Sequence, residues 1–387
     1  MAPVWSSGFR PFFLASVIYG PAVMLVSLSS SLHPGSPAMG EVHSILWHGH
    51  ELLCGWAGAL IGGFLLTALP SWAGVQAIAG VRLAALFLVW AFGRLAMWLP
   101  GYLPAAAIAT LDLAFLASLA AALLPTLLRA RHKPYLAVIL VLAALFCGNL
   151  LFHAGTIQGD AGLARFGLQL YLGVLTFLFS MVAGLLTPVF TEGALRNAGH
   201  EIAIPFHVPL EIAAAASVLI YVATVLAGAR ATLIIAAGSL VLLIHGLRMG
   251  RWYRPGIAAF PLVWVMHLAY AWLLFSVLLR VLSAWDPALP VSASLNAFTV
   301  GALGLMQLGL LCRVALRHTG RPLVVSRAIE FGIYIMLASA LLRVAGAFLP
   351  ASPLTTAAAI SWLVPSLIYL VCHGRMLLSP SLPRTTH

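Results

Sequence analysis

The chain alternates between long apolar runs and short polar stretches that carry most of its charges. The runs are about 20 residues long, the length that an α-helix needs to cross ~30 Å of hydrocarbon. Transmembrane β-strands would be shorter and would alternate in polarity, a pattern that this chain lacks. The pattern therefore predicts twelve transmembrane helices, over residues of about 9–30, 45–69, 79–99, 104–128, 134–155, 165–190, 204–226, 231–248, 256–284, 294–317, 327–349 and 354–379.

The composition agrees with this interpretation. Hydrophobic residues make up 62% of the chain and charged residues 7%, with a mean hydropathy of +1.05. A soluble domain has about 25% charged residues, so this chain lacks the polar surface that water requires. We predict an all-α, polytopic membrane protein in which residues 1–387 form one transmembrane domain. The four cysteines stand singly in apolar runs without CxxC spacing, which indicates packing rather than a disulfide or zinc site.

The net charge of +11 indicates orientation and not nucleic-acid binding, because the basic residues are spread over the loops between helices. Arg94 and Arg343 lie inside helices 3 and 11. Three basic residues fall in or beside odd-numbered loops: Arg165, Arg230 and Arg280. Fifteen fall at the termini and in even-numbered loops: Arg10, Arg82, Arg129, Arg131, Lys133, Arg196, Arg248, Arg251, Arg254, Arg313, Arg317, Arg321, Arg327, Arg375 and Arg384. The positive-inside rule then predicts that both termini are cytoplasmic.

Short recurring patterns indicate an internal repeat. Gly63, Gly184 and Gly309 lie in similar glycine-leucine stretches of helices 2, 6 and 10, at nearly equal spacing. Helices 1, 5 and 9 each begin with a basic residue, a proline at or near the first turn and apolar residues. These matches predict three units of four helices, at about 9–128, 134–248 and 256–379.

The stretch LWHGHELLCGWAGALIGGFLLTALPSWAG combines a membrane span with metal-binding side chains. His48, His50 and Glu51 stand at its start, in the outer turns of helix 2 under the predicted orientation. Intramembrane ionisable residues are costly without partners, and imidazole is a natural ligand of heme iron and copper. Two residues at i and i+2 point roughly 200° apart on a helix, so the two histidines should face different neighbours. A hydrogen-bonded structural role is the alternative for each histidine.

Other polar residues inside the spans extend this set. His153 belongs at the outer level and His267 near mid-depth, and both are further metal-ligand candidates. Arg94 and Arg343 would suit heme propionates, or else pair with acidic residues. A transporter would use Asp112 and Glu211 as coupling groups. The remaining lower-ranked candidates are His43, His207, His245 and Asn296, with Glu51 beside His50.

Several blocks resemble the NnrS family over nearly the whole chain. They are SGFRPFFL, the helix 2 stretch above, GNLLFHAG, WVMHLAYAW and FTVGALGLMQLGLLCRVALRHTGRPL. The resemblance implies a bacterial inner-membrane protein with twelve helices, linked to nitric oxide and nitrosative stress. It also implies heme b and leaves copper open as a second cofactor.

Two positions depart from the family pattern. The helix 10 block has Asn296 where the family has histidine, and the repeat aligns Asn296 with His50 because each lies thirteen residues before its glycine. Arg317 stands where glycine is common. We expect His50, His153 and Asn296 at one level of the bundle, with fewer metal centres than in relatives that have the histidine.

The leading hypothesis is therefore a heme-binding membrane protein that binds or detoxifies nitric oxide or protects against it. A transporter of a metal or small solute, and a heme-based sensor without turnover, are the alternatives. Whether the protein is an enzyme stays open at this point. Three groups of four helices are also the plan of the heme-copper oxidases, which is an analogy of architecture. The cluster of adjacent histidines on one helix that those proteins have is absent here, so we do not assign the chain to that family.

Overall fold

The structure is a computed structural model that describes residues 2–32, 45–129, 133–350 and 352–383. Long helices dominate the described residues, which contain no β-sheet. We number these helices in chain order. They are α1 (Phe9–Leu32), α2 (Ile45–Ala73), α3 (Val81–Met97), α4 (Ala105–Arg129), α5 (Ala137–Gln158), α6 (Ala161–Asn197), α7 (Val208–Leu226), α8 (Ala231–Trp252), α9 (Pro261–Trp285), α10 (Val291–His318), α11 (Arg327–Phe348) and α12 (Leu354–Leu378).

Eleven helices of the described chain are long and apolar enough to span a membrane, and α3 has 17 residues. The prediction of an all-α polytopic membrane protein is confirmed. Most predicted ends agree within a few residues, but α6 continues to Asn197, seven residues beyond its predicted end. Helix α9 starts at Pro261 rather than at 256, because a short 3₁₀ turn, Ile257–Ala259, precedes it. His267 therefore lies in the second turn of α9, and its depth in the membrane stays a prediction.

The chain forms two compact units. Unit 1 comprises Met1–Val174, His318–Gly320 and His373–His387, and unit 2 comprises Leu175–Arg317 and Arg321–Cys372. The predicted three-unit repeat stays a prediction.

Two helices change their winding partway along. In α2, an α-helical turn ends at His50, a π-helical segment covers Glu51–Ala57, and α-helix resumes at Gly58. In α10, the turn ends at Asn296, the π segment covers Ala297–Leu303, and α-helix resumes at Gly304. Both π segments thus begin directly after the residues that the glycine spacing aligns. The equivalent winding supports that alignment, and π segments are frequent at functional sites.

Close backbone contacts set the spacing of helices in unit 1. A Cβ added to Gly148 of α5 would lie 2.9 Å from the backbone nitrogen of Tyr171 and 3.0 Å from the carbonyl oxygen of Gly167 on α6. A Cβ on Gly93 of α3 would lie 3.0 Å from the Cα of Asp112 on α4. Small residues let membrane helices approach this closely. The contact at Gly93 places its neighbour Arg94 beside Asp112 of α4, and the contact at Gly148 holds α5 against α6.

Candidate metal centre

The π segment of α2 begins at a buried acidic residue. Glu51 has no exposed surface, and its Oε1 accepts a hydrogen bond from Arg94 Nη1 at 2.7 Å. The same oxygen lies 2.7 Å from Nδ1 of His50, and Tyr19 donates its hydroxyl hydrogen to Oε2. Gly55 makes these contacts possible, because a Cβ there would lie 2.8 Å from the Tyr19 ring and 2.9 Å from Arg94 Nη1.

A second buried carboxylate, Asp112 of α4, joins the same group. Arg94 Nη2 forms an ion pair with its Oδ1. Its Oδ2 accepts hydrogen bonds from Asn149 Nδ2 at 2.7 Å and from His153 Nε2 at 2.8 Å. The same oxygen lies 3.2 Å from Nε2 of His50. Helices α2 to α5 therefore meet at one polar cluster, which we call the His50–Asp112 cluster: His50, Glu51, Arg94, Asp112, Asn149 and His153.

The hydrogen bonds fix the protonation of His50. Because the amide nitrogen of Asn149 donates to Asp112, its side-chain oxygen faces His50 Nε2, at 2.8 Å. An amide oxygen is an acceptor only, so Nε2 donates. Nδ1 donates as well, since it faces the carboxylate of Glu51. His50 is therefore a cationic imidazolium in this arrangement.

This protonation makes the cluster electrically neutral. The carboxylates of Glu51 and Asp112 balance the guanidinium of Arg94 and the imidazolium of His50, while His153 is neutral with its hydrogen on Nε2. The ion-paired side chains are at most 5% exposed. Uncompensated charge is very costly in a membrane interior, so neutrality explains how these groups remain buried together.

Three members have the arrangement of a metal site. One ligand atom each from His50, Asp112 and His153 can be chosen so that all lie within 4.8 Å of one another. Two imidazoles and one carboxylate suit iron, copper and zinc. Metal binding there requires His50 Nε2 to release its proton, while the Nδ1–H bond to Glu51 is of the kind that orients metal-ligating histidines.

His48 lies on a different side of α2 from His50, as the i, i+2 spacing predicts. Its Nδ1 is 2.7 Å from the hydroxyl oxygen of Ser27 on α1. The Ser27 hydroxyl donates to the carbonyl oxygen of Val23 at 2.9 Å, so it accepts from His48. His48 therefore carries its hydrogen on Nδ1, and the lone pair of its ring lies on Nε2.

Aromatic side chains enclose the cluster in unit 1. The Phe152 ring stacks on the imidazole of His50, with ring centroids 4.2 Å apart. Trp98 Nε1 donates to the Tyr19 hydroxyl at 2.8 Å, and Trp90 Nε1 donates to the Gly55 carbonyl at 3.1 Å. Water is thus kept from the ion pairs, which strengthens them.

A family model described as NnrS protein matches residues 3–381. The chain belongs to the NnrS family. Membership makes it a nitric-oxide-response membrane protein in general terms. A comparison with curated proteins finds no match.

In this member of the NnrS family, the predicted residues divide between the two units. Unit 1 brings together His50, Glu51, Arg94, Asp112 and His153. Arg94 therefore pairs with Glu51 and Asp112. Pairing with acidic residues was one of the two roles predicted for it. His43 lies outside the described residues.

Unit 2 holds predicted residues in separate places. His245 Nδ1 lies 2.5 Å from the Tyr270 hydroxyl. Arg248 pairs with Glu211 and donates to the same hydroxyl at 3.0 Å. The potential transporter residues Asp112 and Glu211 are therefore each bound to an arginine.

The other predicted residues of unit 2 have fewer side-chain contacts. His267 is buried, with Nε2 2.9 Å from the Thr191 hydroxyl. Exposed His207 caps α7, accepting from the Leu210 backbone at Nδ1. The Asn296 amide donates to the Arg343 carbonyl at 3.4 Å, and the Arg343 side chain is half-buried.

Sequence patterns did not single out Tyr19, Ser27 or Asn149. Each is an ordinary polar residue in an apolar helix, and its role depends on a contact with another helix. The asparagine in GNLLFHAG, one turn before His153, was the one available signal.

Proposed function

We propose that this protein binds nitric oxide, and removes it or protects the cell from it, at metal centres in unit 1. The observation that carries the proposal is the buried group of His50, Asp112 and His153, in which two imidazoles and a carboxylate converge. Family membership supports nitric oxide as the ligand. We further propose the bacterial inner membrane as the location.

The donor set of the cluster fits a single divalent metal ion, of which copper is our choice. Imidazole nitrogen suits copper well, and among divalent first-row metals copper binds such sites most tightly. When bound, the metal would supply a redox-active, Lewis-acidic centre, held by His50, Asp112 and His153. Glu51 would hold His50 through Nδ1, and Arg94 would hold the second oxygen of Asp112.

The cluster does not fit heme. Both ring nitrogens of His50 are engaged, and Phe152 covers the face of its ring. A macrocycle at Nε2 would have to displace Asn149 and Asp112.

His48 fits heme b better than His50. Its Nδ1–H is held by Ser27, so Nε2, the ring nitrogen farther from the backbone, carries the lone pair that heme iron needs. A hydrogen bond to the other ring nitrogen orients such ligands and raises their basicity. We therefore propose His48 for heme and the His50–Asp112 cluster for copper.

The test is a comparison of cofactor content in purified variants. A visible spectrum and pyridine hemochrome assay measure heme, and elemental analysis measures copper, in protein from cells supplied with both. We expect His48→Ala to lose heme and keep copper, and His50→Ala and His153→Ala to lose copper and keep heme. His200→Ala, at an exposed loop residue, and Cys54→Ala should keep both.

Full heme and copper in all three histidine variants would refute the assignment. Wild-type protein without a Soret band and without copper would refute the metal proposal and leave the transporter hypothesis. A nitric oxide electrode, used with a reductant present, then separates turnover from binding. Binding stops when the protein is saturated, whereas turnover consumes more nitric oxide than there is protein.

A further inference from the structure

A buried tyrosine and a buried histidine share a short hydrogen bond in unit 2. Tyr270 of α9 has no exposed surface, and its hydroxyl oxygen lies 2.5 Å from Nδ1 of His245 on α8. Their rings stack, with centroids 5.9 Å apart. The Ser180 hydroxyl lies farther from the same nitrogen, at 3.5 Å. The phenol and the imidazole therefore form one close donor–acceptor pair in the interior of this unit.

The neighbouring atoms fix the direction of this hydrogen bond. Nε2 of His245 lies 3.1 Å from the carbonyl oxygen of Ala214, which is an acceptor only, so Nε2 carries a hydrogen. Arg248 Nη1 donates to the Tyr270 hydroxyl at 3.0 Å, which leaves the hydroxyl hydrogen for Nδ1. Glu211 already balances the charge of Arg248, so a neutral His245 keeps the whole group uncharged. Nδ1 of His245 is therefore the base toward which Tyr270 donates.

This geometry suits the removal of one electron from Tyr270. Loss of an electron makes a phenol hydroxyl strongly acidic, so the proton leaves together with the electron. A fully buried ring is out of contact with bulk water, and a base within hydrogen-bond distance then takes the proton. Nδ1 of His245 is such a base. Tyr369 of the same unit provides a contrast, because its buried hydroxyl donates to the carbonyl oxygen of Leu311 at 3.3 Å, and a carbonyl is a very weak base.

An aromatic route leads from Tyr270 to the end of α8. The Trp252 ring lies edge-on to the Tyr270 ring, with centroids 4.8 Å apart. Trp252 is the last residue of α8, and the next residue, Tyr253, is 61% exposed. Indole and phenol rings are among the side chains that are oxidised most easily. These contacts therefore connect the buried ring to the surface of unit 2 for the passage of an electron.

We propose that Tyr270 is a redox-active tyrosine, which gives one electron to a one-electron oxidant while His245 takes up its proton. The O–H bond of Tyr270 breaks, an N–H bond forms at Nδ1 of His245, and a neutral phenoxyl radical remains. The oxidant is nitrogen dioxide, the radical that nitric oxide forms with oxygen, and it becomes nitrite on gaining the electron. The choice of this oxidant rests on the proposed function, whereas the tyrosine–histidine pair does not.

A reductant at the surface closes the cycle. Ascorbate supplies one electron along Tyr253 and Trp252, and His245 returns the proton to the phenoxyl oxygen of Tyr270. The two steps together reduce one nitrogen dioxide to nitrite and oxidise one ascorbate to its radical. Burial keeps the phenoxyl ring from meeting a second radical, which at an exposed tyrosine would lead to nitration or cross-linking. The pair would thus remove a damaging product of nitric oxide.

Flash oxidation tests the pair in purified full-length protein without added metal. Tris(bipyridine)ruthenium(III), produced by light and persulfate, is the one-electron oxidant, and EPR of rapidly frozen samples detects the radical. We expect a long-lived tyrosyl signal in wild type and its loss in Tyr270→Phe. Tyr369→Phe is the matched control and should keep the signal, since this buried hydroxyl donates to a carbonyl.

The rate of radical formation tests the base. A positioned base contributes about 10²–10⁴-fold to proton transfer, so His245→Ala should form the radical about 100-fold more slowly than wild type. Added imidazole should restore part of the rate, which it would not do for a folding defect. His200→Ala, at an exposed histidine of the same unit, should behave as wild type. In wild type, isotope-labelled histidine should change the hyperfine pattern of the radical.

Nitrogen dioxide itself is the probe for the oxidant. Pulse radiolysis of nitrite would generate it in the presence of detergent-purified wild type or Tyr270→Phe. We expect wild type to consume nitrogen dioxide faster than Tyr270→Phe and to form the same long-lived radical, which ascorbate then removes.

No tyrosyl signal in wild type, or an unchanged signal in Tyr270→Phe, would overturn the redox-active tyrosine. Equal rates in His245→Ala and wild type, or a slow His245→Ala that imidazole does not rescue, would overturn the role of His245 as the base. A radical formed with ruthenium and not with nitrogen dioxide would overturn the choice of oxidant. Copper and heme content, measured on separate samples, tests the proposed function, so its failure is distinguishable from failure of the pair.

Discussion

Nε2 of His50 lies 2.8 Å from the side-chain oxygen of Asn149, a residue 99 positions later in the chain. Since the amide nitrogen of Asn149 donates to Asp112, this contact makes His50 a donor and hence a cation. The neutrality of the cluster therefore depends on an asparagine. Changes of charge at this position should reveal whether a metal ion replaces the imidazolium proton.

Asn149→Asp should lower the stability of the metal-free protein and strengthen divalent metal binding. The change adds a third buried carboxylate, which is costly without a counter-charge but favourable to a dication. We expect a lower unfolding temperature without metal and a larger rise on adding copper than in wild type. Gln158→Glu, on the exposed end of α5, supplies the same charge away from the cluster. A copper-induced rise equal to that of wild type would contradict this prediction.

Arg94→Met should destabilise the protein by about 3–5 kcal/mol, the range for removing one partner of a buried ion pair. Glu51 and Asp112 would both lose their shared guanidinium. Adding Asp112→Asn should recover part of the loss, because it removes one unpaired carboxylate. Chemical unfolding in detergent provides the measurement. Arg196→Met, at a side chain 57% exposed, should change stability by less than about 1 kcal/mol.

Ser27→Ala should weaken heme binding without affecting copper. The hydroxyl of Ser27 accepts the Nδ1 hydrogen of His48 and so keeps that hydrogen off Nε2, the nitrogen proposed to bind heme iron. Loss of such a partner typically costs 10–100-fold in affinity at metal sites. Heme titration of the metal-free protein measures this effect. Ser29→Ala, two residues on and exposed, is the control, and equal heme affinity in both variants would rule out the role given to Ser27.

Asn296→His should add a metal ligand in unit 2. Asn296 precedes the π segment of α10 as His50 precedes that of α2, and its amide oxygen is a weak ligand. We expect more copper per protein in the variant, or a shifted heme spectrum. Asn296→Gln, which keeps an amide, should leave both unchanged. An unaltered spectrum and metal content in Asn296→His would show that the aligned position is not a ligand position.

A reporter enzyme that works only in the cytoplasm should be active when it is fused after His387. A reporter that works only in the periplasm should be inactive at the same position. Fifteen basic residues fall at the termini and in even-numbered loops and three in or beside odd-numbered ones, so the positive-inside rule places both ends in the cytoplasm. A paired fusion in the odd-numbered loop near Asp286 should show the opposite activity. Periplasmic activity of the terminal fusion would invert every depth assigned from the sequence.

The sequence by itself determined the fold class and the approximate ends of the helices. Length and hydrophobicity are local properties, and a membrane leaves few alternatives to a helix for an apolar run of this length. It also identified His50 and Glu51 as ionisable residues whose burial in a membrane is costly without partners. The blocks of similarity to the NnrS family were visible in the sequence as well. The early start predicted for α9 was wrong because Pro261, rather than the earlier apolar residues, marks the first helical turn.

Only the tertiary structure decided how those residues are used. It paired Arg94 with two carboxylates, turned His48 toward Ser27, and gave His50 an asparagine partner on α5. It also introduced the π segment Glu51–Ala57, which begins directly after His50. These features depend on which helices lie side by side and at what rotation. A ring nitrogen donates or accepts according to the atom it faces, and that atom comes from a distant part of the chain.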